Sequence, residues 1–204
     1  MRYNVWTVRP AQTQLFSRQQ LASAPRPRRG RPKKPGAGLP HLRRPDVDAR
    51  HPHHITVRMR RHVWNLRSQR CFRPISAALR AVRERDGFRV VHFTVQGNHL
   101  HLVVEANDRA AMSNGMRALL IRVAKHLNGL MGTRGRLYAD RFHERILKSP
   151  SEVRNAVRYV LGNHTRHFGG VAVDRFSSAV VTDVVANPGS WLLRVAWKRD
   201  ATAS

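Results

Sequence analysis

Phe88-Arg89-Val90-Val91-His92-Phe93-Thr94-Val95, then Gln96-Gly97-Asn98, then His99-Leu100-His101-Leu102-Val103-Val104-Glu105 is the stretch that decides the fold. Two apolar, β-branched runs flank Gly97-Asn98, which predicts strands over 88–95 and 100–105 joined by a tight turn. His99 and His101 stand two apart in this strand-like run. Successive strand residues point to opposite faces, so both imidazoles project from one face while Leu100, Leu102 and Val104 line the other. Two imidazoles side by side on a strand form half of a divalent-metal site. Such a pair alone is more often incidental, so its meaning depends on a partner elsewhere in the chain.

Outward from the hairpin, His53-His54-Ile55-Thr56-Val57-Arg58-Met59-Arg60 alternates and is β-branched, predicting a first strand over 53–60. Residues 74–86 predict a helix with Ile75, Ala78, Leu79 and Val82 at helical spacing, closed by Gly87. A long helix is expected over 108–131, with Met116, Leu119, Leu120, Val123 and Leu127 on one face, and a fourth strand over 136–147. Ser149-Pro150-Ser151-Glu152 has capping-box spacing with proline at the first helical position, opening a last helix to about Leu161. The order β-α-β-β-α-β predicts an α+β, ferredoxin-like sandwich with an extra C-terminal helix. Three segments result: a basic arm over 1–50, a domain over 51–168, and a tail over 169–204. In the tail Trp191, Leu192, Leu193, Val195 and Trp197 are candidates for packing back on the domain.

The charge balance points to a partner. Thirty-eight Lys and Arg stand against 12 Asp and Glu, a net +26 over 204 residues, and nucleic acid is the default partner for such a field. No apolar run approaches the roughly 18–20 residues of a spanning helix, and no signal-peptide core is visible at the start. Cys71 is the one cysteine, which excludes an internal disulfide framework and a Cys-rich zinc finger and agrees with a cytoplasmic location.

The arm concentrates this charge. Residues 1–50 hold seven of the 11 prolines and twelve Lys/Arg against Asp46 and Asp48, a net of +10, with little periodic hydrophobicity, so disorder before binding is expected. Arg29-Gly30-Arg31-Pro32, followed by Lys33 and Lys34, resembles an AT-hook that lies in the minor groove of A/T-rich duplex. The competing reading is a basic linker that clamps phosphates without base preference.

The second half of the candidate site is on the last helix. Of the three tyrosines, Tyr159 lies off the centre of the stripe Val153, Ala156, Val157, Val160 and Leu161, and Asn163 follows one turn later on the same flank. A nucleophile and a metal-ligating amide would need this placement. The plainer alternative is a tyrosine at the core margin and an asparagine closing the helix.

Asn98-His99-Leu100-His101-Leu102, followed by a terminal helix bearing Tyr159-x-x-x-Asn163, resembles the single-tyrosine HUH transposases, the insertion-sequence-200-like group, and in particular the REP-associated tyrosine transposases. The leading His-x-Ile-Thr-Val-Arg strand and Leu137-Tyr138-Ala139-Asp140-Arg141-Phe142-His143 add to the likeness, which runs from about His51 to His167. Many relatives have Met-Pro ahead of the Asn-His-x-His run, where this chain has Gln96-Gly97. The resemblance implies that His99, His101 and Asn163 hold one Mg²⁺ or Mn²⁺ and that Tyr159 attacks a phosphate of single-stranded or hairpin DNA, leaving a 5′-phosphotyrosine. A phenol with a pKa near 10 is a weak nucleophile at pH 7, so the metal and cations such as Arg158 are expected to assist. Either a monomer or a homodimer is compatible with this. The other reading is a non-catalytic nucleic-acid-binding protein of the same fold. His53 and His54 are expected to be structural, and Tyr138 and His143 packing or phosphate-facing residues.

Overall fold

Asp86 and Gly87 both adopt positive φ, 44° and 74°, the conformation of a two-residue hairpin turn whose twist matches that of its strands. This turn corrects the expected helix over 74–86. Helix α1 spans Gln69–Val82, and Glu84–Arg85 form a short strand, β2, paired with the start of β3, Phe88–Val95. Ser68 caps α1 by accepting from Cys71 N, and Pro74 lies inside the helix rather than at its start. Burial of Phe72, Ile75, Leu79 and Val82 outweighs the one backbone bond that proline removes.

The computed structural model describes residues 44–168, 173–196 and 198, with the backbone alone for 163–168. β1 is His53–Arg58 and β4 is His99–Ala106. Helix α2, Arg109–Met131, begins at Asp108, whose carboxylate accepts from Ala111 N, and ends at left-handed Gly132. The expected fourth strand is shorter than 136–147. Only β5, His143–Ile146, is regular, with a single bridge from Tyr138 to Met59. Between them the Asp140 side chain accepts from Arg141 N, a local turn that competes with strand pairing. Helix α3 runs from Pro150 to Phe168, past the expected end near Leu161.

The sheet order is β2-β3-β4-β1-β5, antiparallel at every pairing. Without β2 this is the strand order of a ferredoxin-like βαββαβ sandwich, an α+β fold. One sheet face, carrying Ile55, Val57, Phe93, Leu100, Leu102 and Val104, packs against Ile75, Leu79, Met112, Met116 and Leu119 of α1 and α2. Gly115 permits that closeness, because a Cβ there would sit 2.1 Å from the Phe88 ring. The other face carries Val91 and Val103 and is covered by Val153, Val157 and Val160 of α3 with Leu192 and Leu193.

Two segments outside the sandwich complete it. The 173–186 stretch covers the free edge of β3 through Val95 N→Phe176 O, Ser178 N→Phe93 O and Ala186 N→Val90 O, which leaves that edge closed to strand addition. Of the apolar residues expected to pack back, Leu192 and Leu193 are buried, Val195 is half-buried and Trp191 is 58% exposed; Trp197 lies outside the described residues. At the other end Arg44, ahead of the composition boundary at residue 50, packs on the sandwich. Its guanidinium stacks on Phe142 and donates to Glu144 Oε2 at 2.9 Å. No helix among the described residues is long and apolar enough to cross a membrane.

The Glu144 carboxylate is buried among basic side chains. Arg109 donates to both carboxylate oxygens at 3.0 Å, and His53 Nδ1 approaches Oε1 at 2.9 Å. Burial pushes its pKa up, but His53, Arg109 and Arg44 outweigh burial and hold the carboxyl at about 2. Its contribution to stability is therefore present above about pH 4.5 and is lost as pH falls from there towards 2. Glu144→Gln should cost about 3 kcal/mol at pH 7, because Arg44 and Arg109 lose their counter-charge. It should also flatten the acid limb, which urea unfolding across a pH series would measure.

Candidate functional site

The register of β1 on β4 sets His54 beside Val103, Thr56 beside His101, and Arg58 beside His99. Cross-strand partners share a face, so His54, Thr56, His99 and His101 all point towards α3. The expected alternation in β4 holds: His101 turns to this face, while Leu100 and Leu102 enter the opposite core. The His99 and His101 rings meet edge-on at 4.7 Å.

Each imidazole has one nitrogen engaged by a neighbouring oxygen. His99 Nδ1 donates to Asn98 Oδ1 at 2.7 Å, and His101 Nδ1 lies 3.1 Å from Thr56 Oγ1. An amide oxygen only accepts, so Nδ1 is the donor in this contact, and in the neutral ring the lone pair then lies on Nε2. The same tautomer of His101 lets its Nε2 accept from the Tyr159 hydroxyl at 3.3 Å.

Tyr159 reaches this point because of how α3 starts and what it buries. Ser149 Oγ accepts from Glu152 N at 3.3 Å while Glu152 Oε2 accepts from Ser149 N at 3.2 Å, the reciprocal cap expected from the spacing. With Val153, Val157 and Val160 held against the sheet, Tyr159 falls at the margin, half-buried, its ring edge-on to His101 at 4.9 Å. Asn163 lies one turn further along the α3 backbone, and its side chain is outside the described residues. Arg158 is exposed next to Tyr159. Arg29, Arg31, Lys33 and Lys34 also lie outside the described residues.

His54, expected to be structural, lies beside the candidate site. Its ring stacks on His101 at 5.3 Å and stands edge-on to Tyr159 at 5.8 Å. Its neighbour His53, on the opposite sheet face, is the one with a structural role, against Glu144. The signal available in the sequence was the strand alternation that groups His54 with Thr56, but only the β1–β4 register brings that pair to His101. Tyr138 is a packing residue, its hydroxyl donating to Leu120 O at 2.6 Å. His143 is exposed on β5, opposite Thr56.

Burial pulls the His54 pKa down to about 4, with the positive charges of His143 and Arg145 adding to the shift. The ring is thus neutral at pH 7. Stability from the neutral ring is complete above the unfolded value near 6.5 and declines as pH falls towards 4. In an NMR titration the His54 ring should show a midpoint about 4, and Arg145→Ala should move it upward. A midpoint near 6.5 would mean that the ring is solvated.

No protein-family model and no curated protein matches this chain. Among solved structures, a REP-associated tyrosine transposase bound to a REP hairpin aligns with a TM-score of 0.55 and 19% identity, over 69% of this chain and 82% of that one. A candidate transposase from Deinococcus radiodurans aligns over 69% of this chain and 100% of its own, with a TM-score of 0.41 and 13% identity. The first likeness establishes a shared fold.

Proposed function

We propose that this protein is a single-tyrosine DNA transposase of the REP-associated type, which nicks and rejoins single-stranded or hairpin DNA. The observation that carries the reading is the approach of Tyr159 Oη to His101 Nε2, 3.3 Å apart across 58 residues of sequence, beside a second imidazole on the same strand. The fold shared with a transposase that binds a REP hairpin supports it. So does the net charge of +26, which suits a phosphate-rich partner.

A divalent metal fits the residues present. Both imidazoles have Nδ1 engaged by oxygen atoms, the outer-shell pattern that aims Nε2 at a cation. Among the described residues no group of three His, Cys, Asp or Glu forms a metal site. As the family resemblance implies, the pair His99 and His101 would be joined by the amide of Asn163, on the helix that carries Tyr159. Nitrogen-plus-oxygen ligation favours Mn²⁺ over Mg²⁺. Once bound, the metal would polarise a non-bridging oxygen of the scissile phosphate and orient it.

In the reaction Tyr159 Oη forms the new bond to phosphorus and the bond from phosphorus to the 3′ oxygen breaks. The phenol loses its proton to solvent, and the departing 3′ oxygen takes one up as a free hydroxyl. The 5′-phosphotyrosine keeps the bond energy, so attack by a 3′-hydroxyl reverses the step without ATP. Before that reaction, His101 Nε2 orients the phenol; on ligating a metal it would release that contact. A phosphate within stacked duplex could not reach the half-buried Tyr159, which favours single strands and hairpins. The non-catalytic alternative predicts binding without a covalent adduct.

Incubation with labelled hairpin DNA and Mn²⁺ should yield an adduct that survives SDS. Tyr159→Phe should abolish the adduct with little change in DNA affinity, and His99→Ala with His101→Ala should abolish both adduct and metal dependence without unfolding. An adduct from the Phe variant would remove Tyr159 from its role.

Residues 1–43 carry +10 of the +26 charge and none of the proposed catalytic groups. Their deletion should weaken binding and flatten its salt dependence while sparing cleavage at saturating DNA. Losing four phosphate contacts lowers the slope of log K against log salt by about three. An AT-hook further requires a preference for A/T-rich duplex that disappears in Arg29→Ala/Arg31→Ala. An unchanged ratio between A/T-rich and G/C-rich duplexes would reduce the arm to an electrostatic tether.

A further inference from the structure

A cavity of about 480 Å³ opens beside Tyr159, between β5 and the first half of α3. That volume lies within the range of about 300–1,000 Å³ of small-molecule sites. Its floor is apolar, made by buried Leu147 and Ala156. Its wall is aromatic, made by the Tyr159 and His54 rings, and His54 is backed by its stack on His101. Its mouth carries Asn155 with the guanidinium groups of Arg145 and Arg158. The one acid there, Glu152, is occupied by Arg145 at 3.2 Å and by the Lys148 and Ser149 amides.

A phosphate subsite would not need an apolar floor and two rings, and a purely apolar ligand would not need an amide and two cations at the mouth. A nucleobase needs both. Its faces stack on aromatic side chains, its edge pairs with groups that donate and accept, and its backbone phosphate meets arginine. We infer that this cavity is a base-binding subsite, taking one unstacked nucleobase of the DNA strand within a few nucleotides of the phosphate that Tyr159 attacks. The inference rests on the proposed function and adds a determinant of substrate choice to it.

The sheet register places the cavity relative to the proposed point of cleavage. Along this face the rows run from Arg58 and His99, through Thr56 and His101, to His54 and Val103. The cavity lies at the His54 end, away from His99, with Tyr159 between. A strand whose scissile phosphate meets Tyr159 at the His101 row therefore delivers a neighbouring base to the cavity. Asn155, one helical turn before Tyr159, is the group placed to read that base's edge, since an amide both donates and accepts.

The test uses the full chain with Mn²⁺ and single-stranded substrates carrying an abasic site at each position within three nucleotides of the cleaved bond. Single-turnover adduct formation is measured at subsaturating protein. One position should show a loss of about tenfold when its base is removed, the size expected for one stacked base, and the other positions little. Asn155→Ala should slow cleavage of the intact substrate and leave the rate on that abasic substrate unchanged. Ala156→Leu, checked for an unaltered melting curve, should fill the floor and abolish the difference between intact and abasic DNA. If Ala156→Leu does not fold, Asn155→Ala carries the test alone. Adduct formation that tolerates an abasic site everywhere would overturn the subsite and leave the proposed function standing. No adduct from any substrate would overturn both.

Discussion

The pairing of β1 with β4 is the constraint on which the remaining geometry depends. Side chains alternate with period two along a strand, so slipping this register by one residue would turn the site side chains of the slipped strand towards the apolar core. The slip is opposed by what lies on the other face: Ile55, Val57, Leu100, Leu102 and Val104 are all buried under α1 and α2. The hydrophobic effect on one face thus fixes the polar constellation on the other. His54, Thr56, His99 and His101 share one face because the residues between them have nowhere else to go.

The same logic operates at the edges of the sheet. β5 is short and carries Glu144, whose carboxylate is buried among Arg44, Arg109 and His53, so residues from three other segments converge on one strand. At the opposite edge the 173–186 stretch holds β3, and Asp174 links Arg67 to Thr94, the residue that pairs with His101 from the β3 side. Ionic clasps at both margins therefore support a sheet whose centre carries the proposed chemistry. A site that must hold two imidazoles and a phenol at fixed spacing gains from rigid strands more than from loops.

α3 contributes differently. It supplies no strand partner, yet its apolar stripe and its Ser149–Glu152 cap decide where Tyr159 falls. The tyrosine lies at the margin because Val153, Val157 and Val160 take the centre. Marginal placement leaves the hydroxyl near both His101 and the neighbouring cavity, and that double adjacency joins the proposed nucleophile to the inferred base subsite.

Much of this was legible in the chain. Strand period two put His99 and His101 on one face, helical period 3.6 put Tyr159 off the buried stripe, and Ser149 and Glu152 marked the start of its helix. These are properties of neighbouring residues, set by backbone geometry alone. The Asp86-Gly87 turn was equally local, but the apolar spacing of Ile75, Ala78, Leu79 and Val82 drew the expected helix across it; the buried face of α1 instead begins earlier, at Cys71 and Phe72. What required the tertiary structure were relations between distant segments. His53 and His54 are adjacent in sequence and opposite in fate, one against Glu144 and the other against His101, because neighbours on a strand face different layers and only the packed layers say what each meets. The cavity beside Tyr159 is of the same kind: its floor and mouth come from β5, α3 and Leu147 between them, and no spacing along the chain encodes the volume left there.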